Sequence, residues 1–265
     1  MSIPVLGLGT WGMGGRSSPD YTNDDEEIEA IRYALDLGMT HIDTAEYYGG
    51  GHAEELVGKA IQGYRREDVF ITTKVWRTNL EYDDLISSMK GSLKRLDLDY
   101  VDLYLIHWPN PEVPLEETMN ALERCSEEGW TRLIGVSNFS KELMREAQSY
   151  LREARLIADQ VEYSLMEQSP RTELLSYLKD VNSTLIAYRP IARGELAKPG
   201  YDALDDVAER YDKTQAQIAL NWLKSQENVI AIPKSSDKAH IREITGSVGW
   251  SLSEDDRTKL ENYFK

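Results

Sequence analysis

Three ionisable side chains stand at or near the ends of short β-rich runs. Asp43 closes Thr40–Asp43, Lys74 sits one residue before the end of Val69–Val75, and His107 closes Val101–His107. A tyrosine, Tyr48, follows Asp43 by five positions. Side chains alternate along a strand, so if Lys74 points to one face, Thr72 and Phe70 share it while Val69, Ile71, Thr73 and Val75 take the other. The same parity groups His107 with Leu105 and Leu103. A charge removed from water without a partner costs several kcal/mol, so Asp43 and Lys74 are expected to pair. Taken alone, the pair reads equally as a structural ion pair or as part of a reactive site. A lone lysine at a strand end would also permit Schiff-base chemistry.

The elements that must position these groups recur at a spacing close to thirty residues. Strands are predicted near Val5–Leu8, Thr40–Asp43, Val69–Val75, Val101–His107, Leu133–Val136, Leu156–Gln160, Thr184–Tyr188 and Val229–Ile232. Helical patterns fall between them, as in Asp25–Leu37, Ala53–Ile61, Leu85–Leu96, Leu115–Glu128 and Thr214–Ser225. Eight strands alternating with crossover helices predict an α/β protein of the (β/α)8 type, a closed parallel barrel with outer helices. In such a barrel the chemistry collects at the C-terminal ends of the strands, where Asp43, Lys74 and His107 lie. A last helix is predicted from a capping box at Ser253 and Asp256 and runs to Phe264. No linker rich in Pro, Gly or Ser interrupts the chain, which predicts a single domain over residues 1–265.

Gly7, Gly9 and Gly12 have the spacing of a dinucleotide-binding fingerprint. That fingerprint works only where a helix opens at the third glycine and its N-terminus meets a pyrophosphate. Here Met13-Gly14-Gly15-Arg16-Ser17-Ser18-Pro19 follows, which cannot start a helix, so a doubly wound fold is rejected.

Asp43-Thr44-Ala45-Glu46-Tyr47-Tyr48, Ile71-Thr72-Thr73-Lys74-Val75-Trp76 and Asp102-Leu103-Tyr104-Leu105-Ile106-His107-Trp108-Pro109 together resemble the aldo-keto reductase family. The likeness continues through Gly135-Val136-Ser137-Asn138-Phe139, Asp159-Gln160-Val161, Ala187-Tyr188 and Ile232-Pro233-Lys234-Ser235. It covers the chain from Gly7 to about Ser253. The resemblance implies a catalytic tetrad of Asp43, Tyr48, Lys74 and His107 that reduces aldehydes and ketones to alcohols, or runs in reverse. Carbonyl reduction by hydride needs a proton delivered to oxygen as negative charge builds there. Tyr48 would be that donor, and Lys74, paired with Asp43, would lower its pKa from the ordinary value near ~10. His107 would orient the carbonyl oxygen. Tyr47 is the neighbouring decoy, separated from Tyr48 only by its spacing from Asp43.

The resemblance also implies a nicotinamide cofactor, NADP(H), with NAD(H) open as a second. Ser137, Asn138 and Gln160 would hold the nicotinamide carboxamide, and Tyr188 would stack on the ring. Gly9, Thr10, Trp11 and Asp43 would line the same site. After Tyr188, where many relatives have serine, this chain has Arg189, followed by Pro190, Ile191 and Arg193; with Lys198 they make a locally basic loop suited to the pyrophosphate. Lys234, Ser235 and Ser236 lead into a helix whose backbone N–H groups would bind the adenosine phosphate. Glu243 matches the family's adenine-contacting acid. His240 stands where NADPH-preferring members carry arginine, and Ile244 where asparagine is frequent, so a mixed cofactor preference is expected.

Trp11, Trp76, His107, Trp108 and Phe139 are expected to wall the substrate pocket. The family's longer members complete that pocket with a C-terminal tail, and the pocket here is expected to be shallow. A non-catalytic redox sensor or partner subunit of the same fold is the competing reading. The four histidines, His41, His52, His107 and His240, show no metal-ligand spacing, so no metal is expected. Gly135-Val136-Ser137-Asn138-Phe139 lacks the second glycine of a nucleophile elbow.

A net charge of −16 disfavours nucleic acid and anionic membrane as partners, leaving a small-molecule carbonyl or alcohol. Nothing approaches the roughly 20 apolar residues of a membrane-spanning helix. The single cysteine, Cys125, excludes an intrachain disulfide and falls in a helical pattern. With no basic, apolar leader at the start, the protein is read as cytoplasmic. Oligomeric state is left open, and a monomer is compatible with the sequence.

Overall fold

The structure is a computed structural model that describes residues 3–265. Eight parallel strands follow one another around a barrel in chain order: β1 Gly7–Gly9, β2 His41–Asp43, β3 Phe70–Val75, β4 Val101–Ile106, β5 Thr131–Ser137, β6 Leu156–Glu162, β7 Thr184–Tyr188 and β8 Val229–Ala231. Between β8 and β1 the closure rests on isolated bridges, Leu6 to Ala231 and Gly9 to Lys234. The fold is the predicted (β/α)8 barrel. Most predicted strands lie within two residues of the observed ones. The first is displaced toward its C-terminus, because Val5 is exposed and only Leu6 pairs before Gly7.

Ten α-helices occur among the described residues. They are α1 Asp24–Asp36, α2 His52–Ile61, α3 Tyr82–Leu96, α4 Leu115–Glu127, α5 Lys141–Ser149, α6 Leu174–Asp180, α7 Asp202–Tyr211, α8 Gln215–Lys224, α9 Lys238–Thr245 and α10 Glu254–Tyr263. Helix starts follow local chemistry. Ser140 caps α5, and Thr214 and Gln217 form a reciprocal capping box on α8. The box predicted at Ser253 is only half made. Ser253 Oγ accepts from the Asp256 N–H, but Ser253 N–H goes to the Tyr211 hydroxyl, and the Asp256 carboxylate is taken by Ser253 Oγ, Tyr211 and Arg210.

Strand parity divides the core into two. Phe70, Leu103, Leu105, Ala158, Ile186, Ile230 and Ile232 fill the barrel, as the parity of Lys74 and His107 required. Ile71, Val75, Ile106, Val136 and Leu185 face outward onto helix residues such as Met89, Leu122 and Ile218. Fully burying one such aliphatic side chain is worth about 1.5–3 kcal/mol, so both layers hold the strand ends in register. Cys125 is buried in α4, where burial pushes its thiol up to about 12; it is an inert helix cysteine.

The glycine-rich stretch after β1 forms turns and no helix before Asp24, so the dinucleotide fingerprint is absent in three dimensions. Gly9 has a different purpose: a Cβ there would come within 3.0 Å of the Ile232 carbonyl oxygen, and its N–H donates to Pro233 O at 2.9 Å. Gly49, at φ +58, lets the chain turn directly after Tyr48 where any Cβ would overlap the Gly14 carbonyl.

Candidate active site

The C-terminal ends of β2, β3 and β4 bring Asp43, Lys74 and His107 together, and the turn after β2 returns Tyr48 over them. Lys74 is fully buried. Its ammonium donates to Asp43 Oδ1 at 2.6 Å, to Thr44 O at 2.8 Å and to Tyr48 Oη at 3.3 Å, which uses its three protons. Asp43 Oδ2 accepts from Gln160 Nε2 at 2.7 Å. Burial works against the ammonium, but Asp43 and Tyr48 outweigh it and hold the Lys74 pKa above its ordinary value. Because Lys74 donates to Tyr48, the tyrosine's own proton is free to face another acceptor.

The expectation that Lys74 leaves the Tyr48 pKa below its ordinary value needs correction. Burial pushes the Tyr48 hydroxyl up; Lys74 pulls the other way but does not overcome it, and Asp43 adds to the rise. The ammonium lowers the cost of a phenolate without making it the resting state. His107 is held down to about 2 by burial and by the Lys74 charge, so it is a neutral imidazole with Nδ1 buried and unpartnered among the described residues. A neutral imidazole still carries one N–H donor.

Rings close around these groups. Trp11 meets Tyr48 edge-on at 4.9 Å and stacks on Tyr47 at 6.2 Å; Tyr47 stacks on Trp76 at 3.9 Å; Trp76 and Tyr48 both meet His107 edge-on, at 5.1 and 5.5 Å. Tyr47 is therefore a wall residue, a role its spacing from Asp43 did not reveal. Two further residues expected in the wall stand outside this ring cluster. Trp108 is 40% exposed and joins none of these ring contacts among the described residues. Phe139 is buried and packs with the core between barrel and helices, and it also lines a cavity beside Asn138 and Tyr188.

On the opposite side of the mouth, Ser137, Asn138, Gln160 and Tyr188 form one hydrogen-bonded set. Ser137 Oγ donates to Gln160 O at 2.7 Å, Asn138 Nδ2 donates to Ser137 Oγ at 2.9 Å and to His107 O at 3.1 Å, and the Tyr188 hydroxyl donates to Asn138 Oδ1 at 2.9 Å. Asn138 adopts φ +62, a conformation asparagine tolerates better than most residues. The Asn138 amide donors are all used, so what it keeps is acceptor capacity at Oδ1, suited to the N–H2 of a primary amide. Asp159, beside Gln160 on the outward face of β6, is fully buried with neither carboxylate oxygen bonded to a side chain; burial pushes it up to about 8.

The loops after β1 and β8 run side by side. The Thr10 hydroxyl and N–H both donate to Asp43 O, at 3.0 and 2.9 Å, and Gly9 bridges Lys234. Lys234 Nζ donates to Ser236 Oγ at 3.2 Å, and buried Ser235 Oγ accepts from the Asp237 N–H at 3.1 Å. Two of the N–H groups at the N-terminus of α9 are capped from within the chain. Asp237 Oδ1 already accepts from the Ala239 and His240 N–H groups at 2.8 and 2.9 Å. The exposed His240 side chain has Nδ1 3.9 Å from that same carboxylate. Glu243 is half-buried one turn further on, and Ile244 is buried. The basic loop is also partly neutralised: Arg189 pairs with Glu162 at 2.7 Å and Lys198 with Glu195 at 2.7 Å, while exposed Arg193 has no ion pair among the described residues. Pro190 is buried and Ile191 half-buried beneath that loop. No cluster of metal-ligating side chains occurs among the described residues, and no helix is long and apolar enough to cross a membrane.

Comparison with known proteins identifies the family. The chain is 35% identical to the aldo-keto reductase YhdN of Bacillus subtilis, over 97% of this chain and 90% of that protein. It is 33% identical to the methylglyoxal reductase YeaE of Escherichia coli, over 100% and 92%. Among solved structures, the thermostable aldo-keto reductase Tm1743 in complex with the inhibitor epalrestat superposes with a TM-score of 0.95 at 48% identity, covering 98% of this chain and 95% of that one. An aldo/keto reductase from Klebsiella pneumoniae in complex with NADP and acetate gives 0.89 at 32%, covering 99% and 92%. The family model described as the aldo/keto reductase family matches residues 5–263, so the chain belongs to that family and is an oxidoreductase.

Proposed function

We propose that the protein reduces aldehydes and ketones with NADPH, using Tyr48 as the proton donor. The observation that carries this reading is the contact of Tyr48 Oη with the Lys74 ammonium, itself paired with Asp43. The nicotinamide cofactor, when bound, supplies a hydride to the carbonyl carbon. Tyr48 delivers a proton to the carbonyl oxygen, and the resulting phenolate is stabilised by the ammonium 3.3 Å away. One hydride and one proton added across the C=O bond give the alcohol. His107, neutral, donates one N–H to the same oxygen and aligns it with Tyr48.

The acceptor-rich set of Asn138 and Gln160 fits the amide of a nicotinamide, and the half-buried ring of Tyr188 supplies a flat face against which that ring can rest. Gly9, Thr10 and Trp11 border the same mouth. Arg193, with Arg189, Pro190 and Ile191, would meet the pyrophosphate, and Lys234, Ser235, Ser236, His240 and Glu243 the adenosine end. Methylglyoxal reductases among the relatives support a small, reactive carbonyl compound as substrate, and the NADP complex of the Klebsiella protein supports the cofactor. The single cysteine supports a reducing compartment, the cytoplasm.

Initial rates of NADPH oxidation with methylglyoxal test this reading, alongside Tyr48→Phe. Positioned proton transfer contributes about 10²–10⁴-fold, so the variant should lose at least that much turnover and keep its affinity for NADPH. Wild type that binds NADPH but reduces no member of an aldehyde and ketone panel would identify a cofactor-binding protein without this chemistry. Turnover of Tyr48→Phe above a tenth of wild type would remove Tyr48 from its role.

A further inference from the structure

Glu46 lies two residues before Tyr48 and only about a tenth of its side chain is exposed. Its Oε1 accepts from the backbone N–H of Trp76 at 2.6 Å and from Asn79 Nδ2 at 3.0 Å, and its Oε2 is 3.9 Å from Arg95 Nη2. Its own N–H donates to Lys74 O at 3.3 Å. Burial raises its pKa, with the Trp76 N–H pulling the other way. Arg95, on α3, spends its Nε on Glu54 at 2.6 Å, and Glu54 accepts from Thr73 Oγ1 at 2.5 Å on the outer face of β3. The carboxylate of Glu46 thus takes a main-chain donor at the point where the chain leaves β3.

We infer that Glu46 is a positioning residue: it fixes the backbone of Trp76, while the next residue, Tyr47, holds the Trp76 ring, so that one segment carries both the proton donor and the wall opposite it. The inference rests on the reading that Trp76 borders the carbonyl pocket. The grip has two points. Tyr47 lies on the indole at 3.9 Å and 15°, and Glu46 sets the exit direction of the backbone beneath it. Without the carboxylate, the Trp76 N–H loses a charge-assisted partner; the bonds that remain on this loop, Asn79 N–H to Trp76 O, Asn79 Nδ2 to Ser88 Oγ and Asn110 Nδ2 to Arg77 O, leave that N–H unheld. The indole can then leave the stack, and the substrate loses part of its wall while Lys74, Asp43 and Tyr48 keep their own contacts. An interaction shared by ground and transition states changes KM more than kcat.

The test uses methylglyoxal and 4-nitrobenzaldehyde with Glu46→Ala, Glu46→Gln, Glu46→Asp and Trp76→Ala in the full chain. Glu46→Ala should raise KM by about five- to tenfold with kcat within about threefold, weaken the near-ultraviolet circular dichroism of the Tyr47–Trp76 pair, and leave the Kd for NADPH unchanged. Glu46→Gln keeps an oxygen for the Trp76 N–H and should stay within about twofold of wild type. Should the alanine variant fail to fold, the other two decide. Glu46→Asp keeps the charge but retracts it by one methylene, so KM should rise in the aspartate and not in the glutamine variant. An equal rise in both would tie the effect to Arg95 and overturn the inference. If Trp76→Ala raises KM while neither Glu46→Ala nor Glu46→Asp does, Glu46 does not position the wall. If Trp76→Ala leaves KM unchanged, it is the pocket reading itself that fails.

Discussion

Gln160 Nε2 donates to Asp43 Oδ2 at 2.7 Å, joining β6 to β2 across 117 positions of sequence and across the barrel mouth. The two oxygens of Asp43 are thereby divided, one to Lys74 and one to Gln160. Gln160→Leu would leave Oδ2 buried and unpaired. Such a loss costs about 1–3 kcal/mol and frees the carboxylate to swing. The variant should melt earlier and lose turnover together; full turnover with an unchanged melting temperature would show that the link is idle.

Asp43 and Lys74 make a buried ion pair whose members depend on each other. Removing one partner from such a pair costs about 3–5 kcal/mol, because a lone charge remains in a dry site. Lys74→Met should therefore destabilise strongly and abolish carbonyl reduction. In the double variant Asp43→Asn with Lys74→Met, stability should return by a few kcal/mol while activity stays absent. Denaturant unfolding of the four proteins measures the coupling. Additive losses would mean the pair is not coupled.

Asp159 makes stability depend on pH in a defined window. An ordinary aspartate titrates near 3.8, and burial pushes this one to about 8. Between those values the folded state holds a proton that the unfolded state has released, so stability falls as pH rises, by at most about 1.4 kcal/mol per unit. Above pH ~8 the cost is complete and constant. Asp159→Asn removes the titration, and its gain in melting temperature over wild type should grow from pH 5 to pH 8. A gain independent of pH would place the effect in packing instead.

At the N-terminus of α9, the His240 and Ala239 N–H groups bind Asp237 and hold its pKa below the ordinary value, so its negative charge persists. If the adenosine end binds as proposed, beside Lys234 and His240, that charge would oppose the phosphate that separates NADPH from NADH. Asp237→Asn keeps an equally good cap and removes the charge. The ratio of Kd values should move toward NADPH by about two- to fivefold at low salt, and less at high salt. An unchanged ratio would take Asp237 out of the cofactor's reach.

Much of this arrangement is legible in the residues before any coordinates. Strand parity alone puts Lys74, Thr72 and Phe70 on one face, and the barrel closes on that face. The Asp43–Lys74 pair follows from the cost of leaving either charge alone. What escapes a linear reading are contacts made by the barrel's register. Glu46 reaches Trp76, and Gln160 reaches Asp43, only because β2, β3 and β6 are staggered as they are. The positive φ of Asn138 is likewise invisible in the linear sequence, and it sits between Ser137 and the buried Phe139. Asp237 is different. An aspartate just before a predicted helix is a cap signal, and Asp237 caps two N–H groups of α9.

Gly9 and Lys234 meet across the seam between β8 and β1, where the ladder shrinks to isolated bridges and to single bonds such as Gly9 N–H to Pro233 O. A ring of strands opens first where its hydrogen bonds are fewest. The amides of Gly9 and Ala231 should then exchange with solvent by a small parting of the two edges, with no need for global unfolding. Any molecule that touches the loops on both edges would act as a clasp, and its binding would be felt as slower exchange of these same seam amides.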